Sequence, residues 1–167
     1  MGRRIETTET LKIAVADAFI ELLKTKPFDK INVNEITELA GVGRVTYFRY
    51  FESKEDMLVY RLHRLWEDHA DTHPFPFDQE MYEQALWFFN FCGRYRELLS
   101  LLMQQGHYNV VLVFFKEVME IPLPDESELR YPRIYAAYGM FGIISDWVER
   151  GCIEDEKKLA KLCTAPQ

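Results

Sequence analysis

Apolar positions recur every three or four residues along almost the whole chain, and that period predicts helices. Leu11, Ala14, Val15, Ala18, Phe19 and Leu22 follow it and place a helix over residues 8–23, which Lys24, Thr25, Lys26 and Pro27 end. Phe28 and Ile31 come next, as plugs between that helix and a pair of short ones. Asn32 with Glu35 three residues on is a capping box, each side chain meeting the other's free backbone donor. It opens the first short helix, with Ile36, Leu39 and Ala40 as its inward face and Gly41 as its stop. Gly43 then caps the second, over residues 43–51. Two short helices about the Gly41-Val42-Gly43 turn have helix-turn-helix spacing.

Ser53 caps a further helix, expected over 53–70, with Met57, Leu58, Leu62, Leu65 and Trp66 as its apolar stripe and Arg61 interrupting it at the edge. Residues 71–78, DTHPFPFD, form a proline-punctuated connection. Beyond it the period predicts helices over 80–92, 95–104, 108–120, 131–150 and 154–162. Their breaks fall at Gly93, Gly106, residues 121–125 and Gly151, and Pro132 is tolerable in the first turn of its helix. No strand pattern of any length survives. The expected fold is all-α with about nine helices: an N-terminal three-helix bundle carrying the helix-turn-helix (residues 1–52), and a helical body (53–167) joined to it by the helix over 53–70.

Stepping 100° per residue along helix 43–51 puts Tyr47, Phe48 and Phe51 on a packing side and leaves Val45, Thr46, Arg49 and Tyr50 outward, with Arg44 reaching past the helix end. That outward set suits a major groove. Arginine pairs bidentately with guanine, and threonine and valine methyls can meet the thymine methyl. Lys54, beside the positively polarised N-terminus of the next helix, is placed to grip a phosphate. Arg3 and Arg4 precede the first helix in a polar stretch expected to fray, from which basic arms can reach DNA.

Three runs, Leu39 to Arg44, Thr46 to Phe51 and Ser53 to Leu58, resemble the DNA-binding signature of TetR-type (tetracycline-repressor-like) bacterial transcriptional regulators. The resemblance extends back through residues 3–19 and 33–35 and covers roughly the first third of the chain. It implies that helix 43–51 is the recognition helix, with Arg44, Val45, Thr46, Arg49 and Tyr50 on bases or phosphates and Lys54 on a phosphate. Two positions depart from the pattern. Phe48 lacks the hydroxyl expected there, and Gly43 replaces a hydroxyl-bearing cap.

Charge changes the picture only when divided along the chain. The net charge is −7. Residues 1–64 hold 11 Lys+Arg against 10 Asp+Glu, and the remainder holds 9 against 17, so the head is at +1 and the body at −8. This suits a head that faces DNA and a body that avoids nonspecific phosphate binding, with a shallow salt dependence expected. The N-terminus lacks a hydrophobic signal core, no apolar run nears a membrane span, and Cys92, Cys152 and Cys163 have no metal spacing. The expectation is a cytoplasmic protein with reduced thiols, no membrane, no metal and no cofactor.

Aromatics dominate the body, with 17 of the 24 lying beyond residue 64. Most should be core, yet a bundle so rich in rings can hold a small-molecule site. Its expected lining is Trp66, Trp87, Phe91, Tyr95, Met103, His107, Tyr108 and Phe114; the TetR resemblance implies such an effector pocket. His69 and His73, four apart, are read as surface histidines because Pro74 ends the helix there. Ala136, Gly139, Gly142 and Ser145 recur every three residues and leave room for a neighbouring helix, either within the chain or from a second copy. The residues around Gly139, Gly142, Trp147 and Gly151 resemble a TetR-like subgroup that includes the dihydroxyacetone-kinase co-activator, which implies a four-helix homodimer interface.

An enzyme is disfavoured, because Cys92 and His107 lack a third orienting group and no phosphate loop is present. The expected function is a homodimeric, ligand-responsive repressor that places helix 43–51 in the major groove of a palindromic operator and is released by a small-molecule effector. The alternative is a co-activator of the same fold that acts through a protein partner.

Overall fold

A computed structural model describes the backbone of residues 2–120 and 127–165 and the side chains of residues 8–119, 128 and 130–165. Among the described residues it is all-α, with nine α-helices and one 3-10 turn. The chain divides into two compact units, Met1–Leu62 and His63–Gln167.

In the first unit α1 (Gly2–Leu23) is the supporting helix, with Val15, Ala16, Phe19 and Leu23 fully buried. It begins earlier than the polar N-terminus suggests, and residues 2–7 are helical instead of frayed. How far the Arg3 and Arg4 side chains reach lies outside the described residues. The 3-10 turn Phe28–Lys30 comes after it, with Phe28 edge-on to Phe19 at 5.4 Å and Ile31 buried beside them.

The capping box on α2 (Val33–Leu39) is formed: Glu35 N–H donates to Asn32 Oδ1 at 3.1 Å, and Asn32 N–H to Glu35 Oε2 at 3.0 Å. Lys26 adds an ion pair to Glu35, and this, ahead of the Asn32 backbone bond, holds the carboxyl below its ordinary value. The inward face of α2 differs from the expected one. Ile36 is buried, but Leu39 is 55% exposed and Thr37 takes the buried place, its hydroxyl donating to the Val33 carbonyl at 2.9 Å. Short helices tolerate a buried threonine when the preceding turn accepts its proton.

Gly41 ends α2 at φ +66°. Val42 N–H donates to Thr37 O at 2.9 Å and Gly41 N–H to Glu38 O at 3.1 Å, the pair of bonds of a Schellman stop. The chain then turns into α3 (Arg44–Tyr50), and α4 (Lys54–Thr72) opens with Asp56 N–H on the Ser53 hydroxyl at 2.9 Å. Met57, Leu58 and Leu62 on α4 close the core of this unit.

The second unit holds the end of α4, then α5 (Met81–Arg94), α6 (Arg96–Gln104), α7 (Tyr108–Glu120), α8 (Ser127–Glu149) and α9 (Glu156–Thr164). α7 packs along α8, and α9 along α5. Gly93 does not break α5 as its residue type suggests. It is buried within the last turn, and a Cβ there would meet the Glu156 side chain, so the glycine admits α9. α8 starts four residues before the expected position, which puts Pro132 inside the helix, where its missing N–H leaves the Glu128 carbonyl without the usual partner. The expected break at 121–125 lies outside the described residues.

Candidate functional site

The face that α3 presents is fixed by how the helix is held. Tyr47 is buried on one side, 6.1 Å from Phe51 and edge-on to Phe48, and the α3 C-terminus stops at the extended Phe51, itself buried. Burial, ahead of the charges of Glu55 and Asp56, raises the Tyr47 phenol above its ordinary value, so it stays neutral. The opposite side carries Arg44, Val45, Phe48 and Arg49, all exposed, with Val45 at 69% and Phe48 at 61%. Thr46 and Tyr50 are half-buried at its flanks.

This corrects the expected placing of Phe48 with the packing rings. On a helical wheel Phe48 lies only about 40° from Arg44 and about 60° from Val45, and that angle is the signal the sequence offers. The Arg44 guanidinium stands 5.7 Å from the Phe48 ring centre. Neither Arg44 nor Arg49 has a carboxylate partner among the described residues.

Lys54 is arranged differently from a phosphate grip. Its ammonium donates to the Phe28 carbonyl at 2.6 Å and the Ile31 carbonyl at 3.1 Å, and lies 4.2 Å from the Phe28 ring centre. The cation is engaged in tying α4 to the 3-10 turn. Its stem is long enough to fold inward to those carbonyls, of which the Phe28 one also accepts the Ile31 N–H at 3.2 Å.

In the second unit a cluster of rings surrounds Trp66. Trp87 lies 4.7 Å away, Phe91 4.9 Å and Phe114 5.9 Å, all near edge-to-face, the arrangement ring quadrupoles favour. Tyr95 joins through Phe91 at 5.1 Å. Of the eight residues read as a pocket lining, these five are brought together. Met103 is buried, and Tyr108 donates to Glu149 at 3.0 Å, which raises its phenol. His107 is half-buried at the start of α7.

Sequence reasoning misses His69. Its ring is 4% exposed, 4.7 Å from Trp87 and stacked on His73 at 5.1 Å. It faces inward because it lies four residues after Leu65 and three after Trp66, on the apolar stripe of α4. His63, one α4 turn before Trp66, meets Glu117 of α7 at 2.6 Å. Cys92, fully buried, has its thiol pushed well up by burial, which makes it an inert core residue and not a nucleophile.

The comparisons with known proteins meet this geometry at α1 to α4. Residues 16–60 match the family described as bacterial regulatory proteins, tetR family. No curated protein sequence matches the chain. Solved structures similar to it include the dihydroxyacetone kinase operon activator DhaS, at 18% identity and TM-score 0.55, over 92% of this chain and 90% of that one. The fatty acid degradation regulator FadR from Bacillus halodurans is similar at 19% identity and TM-score 0.53, covering 90% of each chain. The transcriptional regulator FadR from Bacillus subtilis, in complex with stearoyl-CoA, is similar at 17% identity and TM-score 0.54, over 89% and 93%. At these identities what is shared is the fold. The residues that match this family are thus succeeded by an all-α body of the same fold as these structures, and among the described residues no helix is long and apolar enough to cross a membrane.

On the body, one face of α8 is bare. Ala136, Gly139 and Gly142 are exposed, and a Cβ built on either glycine meets nothing within 4 Å. Tyr131, Tyr135 and Tyr138 flank them, Tyr135 at 82% exposure. Ser145 is half-buried, its hydroxyl returned to the Phe141 carbonyl at 2.8 Å.

His69 also gives the body a pH dependence. Burial first, then the charges of His73 and Arg94, lower its pKa from the ordinary 6.5, and the Trp87 backbone acts in the other direction. Above that pH the ring is neutral folded or unfolded and contributes nothing. Below it the unfolded chain takes up a proton that the folded body refuses, so stability falls with pH until the lowered folded value is reached. Urea midpoints should therefore drop between pH 7.5 and pH 5.5, and the drop should be smaller in His69→Leu. An equal drop in that variant would place the acid sensitivity elsewhere.

Proposed function

We propose that the chain is a homodimeric, ligand-responsive transcriptional repressor whose α3 enters the major groove of a palindromic operator. The observation that carries this reading is the outer face of α3. Two arginines without carboxylate partners stand beside two exposed apolar side chains, on a helix anchored from behind by Tyr47 and Phe51 in a tetR-type head. Guanidinium forks read guanine edges, while Val45 and Phe48 offer apolar surface to thymine methyls. The flanking Thr46 and Tyr50 are placed for the walls of the groove.

The bare α8 face supports a two-fold dimer, since small residues between tyrosines let a second copy of the same helix come close. The body's ring cluster supports an effector site, and the Bacillus subtilis FadR structure, of similar fold, holds stearoyl-CoA. A repressor of this kind acts in the cytoplasm and has no catalytic task.

Selection of bound sequences from random duplexes tests the reading. It should return an inverted repeat, with half-sites separated by whole turns of about 10–10.5 base pairs. No enrichment, or enrichment of a single asymmetric half-site, would overturn it. Gly142→Glu, which sets two carboxylates against each other across the proposed interface, should shift sedimentation from dimer toward monomer and lower operator affinity with it. A variant that remains dimeric would move the interface off this face.

A further inference from the structure

A neutral imidazole carries one N–H and one acceptor nitrogen, and buried groups of this kind are almost always paired. His69 is not. Neither Nδ1 nor Nε2 has a hydrogen-bond partner among the described residues, although the ring is 4% exposed. Leucine or phenylalanine could fill the space without leaving polar atoms unmatched, so the imidazole is explained better by a partner from outside the chain than by packing.

The surroundings say what that partner is. Trp87 and Phe91 of α5 form an apolar wall at 4.7 and 5.7 Å from the ring, and Trp66 continues it. The charged groups that act on His69 are His73 on its own helix and Arg94 on α5. The carboxylate that α7 brings nearest in sequence to the cluster, Glu117, is engaged by His63. The polar end of the cluster therefore has basic groups around a ring with unused hydrogen-bonding capacity, and the rest of it is apolar. His73 is exposed, stacks on His69, and accepts the Trp87 indole N–H at its carbonyl, so movement of this cover is coupled to Trp87.

We propose that His69 anchors a binding site for a small carboxylic acid with an apolar body, the carboxylate taking a ring N–H and the body lying along Trp66, Trp87 and Phe91. The acid enters as its anion, and His69 takes a proton from water to become the imidazolium of the pair. Binding is thus accompanied by proton uptake and strengthens as pH falls. The proposal deepens the effector reading above by naming the ligand class, but binding itself needs no DNA.

The test uses the full chain without DNA. Octanoate and phenylacetate are titrated against it, with octanamide and phenylacetamide as neutral controls, at pH 6 and pH 8. Binding is read by tryptophan emission and by calorimetry in two buffers of different ionisation heat. At least one acid should bind about tenfold or more tightly than its amide, more tightly at pH 6, and with proton uptake. His69→Phe should lose both the preference and the uptake, while His69→Gln, which hydrogen-bonds but does not titrate, should keep part of the affinity and lose the uptake. The site is overturned if amides bind as well as acids, if His69→Phe retains the uptake, or if neither acid binds below millimolar. Acids that bind without changing operator affinity would keep the site and sink the ligand-responsive reading. Release from DNA by some other molecule, with no acid bound, would do the reverse.

Discussion

Replacing Arg49 or Arg44 with alanine should weaken binding to the selected operator by about ten- to a hundredfold each, the range for losing a bidentate base contact. The two substitutions should leave thermal stability nearly unchanged, because both side chains are exposed and neither holds a carboxylate. Fluorescence anisotropy on operator and on scrambled duplex separates the possible roles. An arginine that reads a base loses discrimination between the two duplexes. An arginine on a phosphate loses affinity for both, and the slope of log K against log salt falls by about 0.9. Phe48→Ala should show a smaller version of the first pattern, concentrated at thymines and mimicked by putting uracil in their place. Unchanged binding in all three variants would remove α3 from the interface.

Lys54→Met should destabilise the head by about 2–3 kcal/mol, because two backbone carbonyls lose a charged donor. The methionine stem still covers Phe28, so the loss is of hydrogen bonds more than of packing. If Lys54 instead gripped a phosphate, stability would hold and only the salt slope would fall. Denaturation of the variant, with anisotropy then measured at a temperature where it remains folded, distinguishes the two. A fully stable Lys54→Met with weakened DNA binding would contradict the internal role given to this ammonium. The geometry ranks the two outcomes, since the ammonium already has two acceptors within 3.1 Å and an aromatic face at 4.2 Å.

Arginine and lysine also differ in how far the residue pattern reveals them. Angular spacing places Val45 and Arg49 outward, the long stem carries Arg44 past the helix end, and all three are exposed. Lys54 is not readable in that way. Its helix-terminal position is the same whether the stem extends toward a phosphate or folds back, and the choice depends on carbonyls at Phe28 and Ile31, far earlier in the chain. The pattern misplaces Phe48 because an aromatic on a short helix is expected to pack, whereas Tyr47 and Phe51 already fill the space behind α3. It puts His69 on the surface because Pro74 signals an earlier helix end. The ring instead continues the Leu65 and Trp66 stripe of α4, and the wall of α5 rings encloses the imidazole.

What the sequence determined by itself is whatever depends on neighbours within about one helical turn. The helices and most of their ends are of this kind, as are the capping box at Asn32, the stop at Gly41 and the helix-turn-helix spacing, because caps and periodicity act through adjacent backbone groups. Only the tertiary structure decided where a side chain with two options goes. Thr37 or Leu39 as the buried face of α2, Gly93 as a packing glycine instead of a break, the inward Lys54 and the unpartnered His69 each depend on surfaces brought in from distant parts of the chain. Burial and pairing are settled by those surfaces, and local pattern carries no record of them.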